Sequence, residues 1–174
     1  MTTQGIDLTG LSVQDALDLA IMIEEQAQER YEEFTRQMDL HHTPEAATFF
    51  RHMAQNEAKH GEELSKRRTR LFADAPRQVK ATMLWDIEAP EYDEARAFMT
   101  PRQAMETALR CEEKAHAFFV GALPQISDPD VKALFEELRD EEVAHQDLVK
   151  NELAKLPPGP DVGPDDYSDE PVAQ

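Results

Sequence analysis

The chain has 174 residues, 40% hydrophobic and 31% charged, enough for one domain with an apolar core. Its 36 acidic against 18 basic residues give a formal net charge of −18, which argues against nucleic acid or a membrane surface as partner, because phosphate binding takes clustered Lys and Arg. The one cysteine, Cys111, excludes an internal disulfide and any Cys-x-x-Cys metal pair, no apolar run approaches the roughly 18–20 residues of a membrane span, and the N-terminal residues carry no signal-peptide pattern, so a cytoplasmic protein is expected.

Four segments repeat apolar residues at helical spacing. The first runs from about Val13 to Met38, with Val13, Leu17, Ala20, Ile23, Ala27, Tyr31, Phe34 and Met38 on one stripe and Ser12 with Asp15 as a capping box. A short turn through His41 and His42 leads to the second, from about Pro44 to Leu71, with Ala46, Phe50, Met53, Leu64 and Leu71 on its stripe and Thr43 as its predicted cap. The run Lys66-Arg67-Arg68 reads as the solvated end of this helix.

A connection from Phe72 to Met99 follows, long enough to cross a bundle and set helix three parallel to helix two. It contains Trp85 and Tyr92 and has some helical character around Arg77 to Ile87. The third helix runs from about Pro101 to Leu123, capped by Thr100 with Gln103, and carries Met105, Ala108, Ala115 and Phe119. The fourth runs from about Pro129 to Leu156 behind Asp128, with Val131, Leu134, Leu138, Leu148 and Leu153 on its stripe. Residues 1–157 therefore form an all-α antiparallel four-helix bundle of two hairpins, and residues 158–174 read as a disordered acidic, Pro-rich tail.

The two hairpins resemble each other. A shift of 88 residues carries Ser12, Ala20, Glu24 and Ala27 onto Thr100, Ala108, Glu112 and Ala115. A shift of 85 carries Pro44, Phe50, Glu57, His60 and Leu64 onto Pro129, Phe135, Glu142, His145 and Val149. Such matches imply an approximate two-fold axis.

The stripes are interrupted by charge at matching heights. Glu24 and Glu112 each stand alone on the inner face of their helix, while Glu57 with His60 and Glu142 with His145 are three residues apart, so each pair shares a face. A third such pair, Glu113 and His116, has its Glu off the stripe. Glu24 and Glu112 lie twelve residues past their caps, and Glu57 and Glu142 fourteen past theirs, roughly 18 and 21 Å along the axis. All six side chains are therefore expected to meet halfway along the bundle. Four carboxylates in an apolar core are costly unless they protonate or bind cations. Two divalent ions would balance them, and carboxylate with imidazole suits iron or manganese. The repeat makes Glu57 and Glu142 the bridging carboxylates and Glu24 and Glu112 the terminal ones. Glu25 points outward.

One Glu on each of two helices, with Glu-x-x-His on the other two, resembles the ferritin-like di-iron proteins. An aromatic seven residues after the lone Glu, here Tyr31 and Phe119, is most similar to rubrerythrins over Leu11 to Leu156. The chain departs from classical members in having no rubredoxin cysteines and in carrying Ala115, beside His116, where they have a further Glu. The resemblance implies two iron ions and reduction of peroxide or dioxygen with electrons from an external donor. The alternative is a ferroxidase with Fe²⁺ itself as substrate. Tyr31 is the expected participant beside the ligands, either hydrogen-bonded to a ligand carboxylate or as a redox-active phenol. His116 is a candidate extra ligand. A homodimer rather than a cage is expected, because the tail offers no fifth helix.

Overall fold

The computed structural model describes residues 8, 10–77, 79 and 99–157. The described residues form four helices, α1 (Val13–Leu40), α2 (Pro44–Phe72), α3 (Pro101–Ala122) and α4 (Pro129–Leu153), with a 3₁₀ turn at Leu123–Gln125. The starts follow the sequence signals in three cases of four. Ser12–Asp15 and Thr100–Gln103 close full capping boxes, and the Asp128 carboxylate accepts from the amides of Asp130 and Val131. Thr43 departs from expectation. Its hydroxyl donates to the Met38 carbonyl at 3.1 Å and closes the hairpin turn, leaving no side-chain cap on α2.

The far end of α4 is shorter than its pattern suggests. Pro157 disfavours a helical conformation at the residue before it, and from Lys155 the chain tightens into three-residue bonds. Arg102 at the start of α3 gathers the carbonyls of Leu153, Leu156 and Pro157 at 3.4, 3.0 and 2.7 Å, pinning the two helix ends together.

Contacts running in opposite chain directions show each hairpin to be antiparallel. Asp39 meets Arg51 while Asp18 meets Arg68; Arg102 meets Leu153 while Phe119 meets Phe135. The core shows how the hairpins combine. One apolar cluster joins the start of α1 to the ends of α2 and α3 and the start of α4, through Leu17, Leu64, Phe119 and Leu134. The other joins the end of α1 to the starts of α2 and α3 and the end of α4, through Phe34, Phe50, Ala104 and Val149. Helices α2 and α3 are therefore parallel, the topology the long connection predicts. The expected helical character near Arg77 to Ile87, Trp85, Tyr92 and the tail 158–174 fall largely or wholly outside the described residues.

Two apolar assignments shift. Leu148 is exposed and Val149 is fully buried, because the face holding Glu142 recurs seven residues later at Val149. Leu71 is also exposed, and Phe72 packs against the core in its place. No helix among the described residues is long and apolar enough to cross a membrane.

Candidate metal centre

Between the two apolar clusters lies a polar layer. On α1 the clusters break between Ile23 and Ala27, on α2 between Ala54 and Leu64, on α3 between Ala108 and Phe119, and on α4 between Leu138 and Val149. The residues in those gaps include Glu24, Glu57, His60, Glu112, Glu142 and His145, so all six expected side chains occupy the one layer. Glu57 and Glu112 are fully buried, and Glu142 and Glu24 remain 3% and 5% exposed. The histidines form the outer wall, stacked ring on ring with centroids 4.7 Å apart and planes within 5°.

Donor atoms within 4.8 Å of one another form two groups, Glu57–His60–His145 and Glu112–Glu142–His145. Five of the six residues are thus gathered. Glu24 stands apart from both groups, although its carboxyl neighbours that of Glu57. Glu112 and Glu142 form the matching pair on the other side. Glu112 is further held by His145, whose Nδ1 lies 3.1 Å from Oε2, and by Tyr31, whose hydroxyl donates to Oε1 at 3.4 Å. Tyr31 therefore serves the Glu of the opposite hairpin, not the one on its own helix. His116 is in neither group, and Glu25 is exposed and engaged by the Arg77 guanidinium at 2.9 and 3.0 Å.

The electrostatics follow from burial. Loss of water raises Glu24 from its ordinary 4.5 to about 7, against the neighbouring Glu57 carboxyl and the nearby His145, which pull it down. Burial and then the charges of Glu112 and Glu24 push Glu57 well above the carboxylate range; Glu142 is raised for the same reasons. Burial and the neighbouring His145 lower His60. For His145 burial opposes the charged ring, but the hydrogen bond to Glu112 and the surrounding carboxylates outweigh it and raise the pKa.

Sequence reasoning missed a second buried ionic cluster near one end of the bundle. Asp18, fully buried, pairs with Arg68, which also donates to the Ala75 carbonyl at 2.6 Å. The basic run is thus not wholly solvated: Lys66 is exposed while Arg68 turns inward. The available signal was an acid inside the apolar run from Ala16 to Ile23.

Comparison with known proteins agrees with this architecture. The family model described as Rubrerythrin matches residues 15–153. The chain belongs to the rubrerythrin family. This is a ferritin-like di-iron family, and solved structures similar in fold fit it. An uncharacterised conserved protein from Magnetospirillum magnetotacticum is 27% identical with a TM-score of 0.66, covering 86% of this chain and 99% of its own. A Rhodobacter capsulatus bacterioferritin with a metal-free dinuclear site and heme iron is 21% identical with a TM-score of 0.54, covering 82% and 83%. A hypothetical protein from Pyrococcus furiosus is 19% identical with a TM-score of 0.54, covering 83% and 89%. No curated protein sequence matches the chain significantly.

The residues fit the metals that the family implies. Among the described residues, Glu24 Oε2, both oxygens of Glu57, His60 Nδ1 and Glu142 Oε2 are buried without a hydrogen-bond partner. Buried polar atoms are rarely left so, and here they are all oxygen and imidazole nitrogen, the donor set suited to iron or manganese.

Proposed function

We propose that this rubrerythrin-family protein is a di-iron oxidoreductase that reduces peroxide or dioxygen with electrons from an external donor. The observation that supports this reading is the polar layer itself: four carboxylates and two imidazoles facing one another between two apolar cores, with buried oxygens that nothing else satisfies. Two bound iron ions would supply one electron each for a two-electron reduction. Glu57 and Glu142 would bridge the ions, Glu24 and Glu112 would hold the outer positions, and His60 and His145 would each complete one. Tyr31 orients Glu112 through its hydroxyl, which brings a phenol to the edge of the site. The apolar clusters on both sides keep bulk water from the layer.

The chain has one cysteine and so no four-cysteine centre of its own, which is why the electrons are assigned to a separate donor. A homodimer in the cytoplasm is proposed with this reading, and light scattering in solution tests the assembly. The alternative is a ferroxidase, favoured by the net charge of −18, which concentrates cations near the surface. The two readings separate by turnover. Protein reconstituted anaerobically with Fe²⁺ is supplied with hydrogen peroxide and a chemical reductant. Many turnovers per iron support the oxidoreductase. Consumption of excess Fe²⁺, with no cycling on the reductant, supports the ferroxidase and overturns the first reading.

A further inference from the structure

The approximate two-fold axis relates Glu24 to Glu112, His60 to His145 and Glu57 to Glu142, but beside the site it fails where one half has a hydroxyl and the other has none. It carries Tyr31, seven residues after Glu24, onto Phe119, seven residues after Glu112. Tyr31 is fully buried and its hydroxyl holds Glu112. Phe119, also buried and packed edge-on to Phe135, has no hydroxyl to offer the Glu24 half. The consequence is visible in both halves. Glu112 is fixed by Tyr31 and by His145, and it forms a compact donor group with Glu142 and His145. Glu24 belongs to no such group, its Oε2 is unpartnered, and His60 Nδ1, 3.8 Å from Glu57, is unpartnered too.

We infer that the two metal positions are inequivalent and fill in order, the Glu112–His145 half first, with Tyr31 as the positioning residue that sets the order. The order follows from preorganisation. A carboxylate already oriented by a hydrogen bond loses less freedom on ligation, and outer hydrogen bonds of this kind change metal affinity by about 10–100-fold. Glu24 lies outside the Glu57–His60–His145 group, so that half has no terminal carboxylate already set among its donors. The inference rests on the proposed two-metal site but goes beyond it, because two metals could bind equally.

The test uses the full-length protein, Mn²⁺ as probe and occupancy as readout. Crystals grown with one equivalent of Mn²⁺ are measured at the manganese edge, and a solution titration gives the two dissociation constants. A difference of about tenfold, the lower end of the outer-hydrogen-bond range, places most of the anomalous density beside His145 in roughly a three-to-one ratio. Tyr31→Phe, which keeps the buried ring, weakens the first ion about tenfold and evens the occupancies, while the melting temperature of the metal-free protein stays close to wild type. Phe119→Tyr supplies the missing donor and tightens the second ion. If that variant does not fold, Tyr31→Phe alone decides. Equal occupancy in the wild type, or preference for the His60 side, overturns the inference while leaving the two-metal reading intact. Preference that survives Tyr31→Phe unchanged overturns the role of Tyr31. No Mn²⁺ in the layer at any concentration overturns the two-metal reading itself.

Discussion

Replacing Glu24 with Gln in the metal-free protein is expected to stabilise it at neutral and alkaline pH. Burial raises the Glu24 carboxyl from its ordinary 4.5 to about 7. The gap, at about 1.4 kcal/mol per pH unit, corresponds to about 3 kcal/mol that the folded state forfeits once the group must ionise. The sign follows from proton counting. Between pH 4.5 and 7 the folded protein holds a proton that the unfolded chain has released, so metal-free stability falls as pH rises through that window. The penalty is absent below 4.5 and complete above 7. Glu57 and Glu142, raised further, extend the decline upward. Glutamine has nearly the same shape and no charge to desolvate, so Glu24→Gln removes this share of the slope. At about 2–4 °C per kcal/mol for a chain of this size, the variant melts roughly 6–12 °C above the wild type at pH 8 and close to it at pH 4.5. Thermal melts of both proteins in chelator across that pH range are the assay. A metal-free wild type whose stability rises or stays flat from pH 5 to 7 would refute the reasoning, since it would mean that Glu24 is solvated or otherwise satisfied.

Metal loading is expected to act in the opposite direction: at a free Fe²⁺ or Mn²⁺ concentration about a hundredfold above the dissociation constant, each site adds about 2.7 kcal/mol, and coincident melts with and without metal would count against a shared site. Glu57→Ala removes a bridge and is expected to lower metal content at both positions, whereas Glu24→Ala lowers it chiefly at one and Glu25→Ala leaves it unchanged; metal analysis after anaerobic reconstitution reads all three. If Glu25→Ala abolishes binding while Glu24→Ala retains two ions, the helix register is wrong by one residue. Asp18→Asn leaves Arg68 buried without its counter-charge and is expected to cost about 3–5 kcal/mol in urea unfolding while sparing metal content, because the pair lies outside the polar layer.

The parts of this fold that were legible in sequence are those fixed by spacing along one helix. Ser12–Asp15, Thr100–Gln103 and Asp128 cap as their local order implies. Glu57 with His60 and Glu142 with His145 fall on inner faces because three residues make nearly one turn. What escaped depends on which faces meet. The Asp18–Arg68 pair joins residues 50 apart, and only the register of the α1–α2 hairpin brings them together. Tyr31 reaches Glu112, 81 residues away, across the bundle, a partner that position on its own helix could not name. Leu148 and Val149 look alike in sequence, because an apolar residue beside the inner face reads the same as one upon it, and only the burial of Val149 separates them. The Thr43 hydroxyl could turn to accept from the first amides of α2 or to close the turn, and donation to the Met38 carbonyl prevailed.

On the proposed function, the polar layer holds two metal ions between four carboxylates and two histidines. Its most direct test is a crystal structure of protein loaded anaerobically with excess Fe²⁺, with anomalous data collected on both sides of the iron edge. Two peaks are expected inside the layer, both touching Glu57 and Glu142, one beside Glu24 and His60 and the other beside Glu112 and His145. Peaks confined to surface carboxylates, with Glu57 and Glu142 still unliganded, would contradict it.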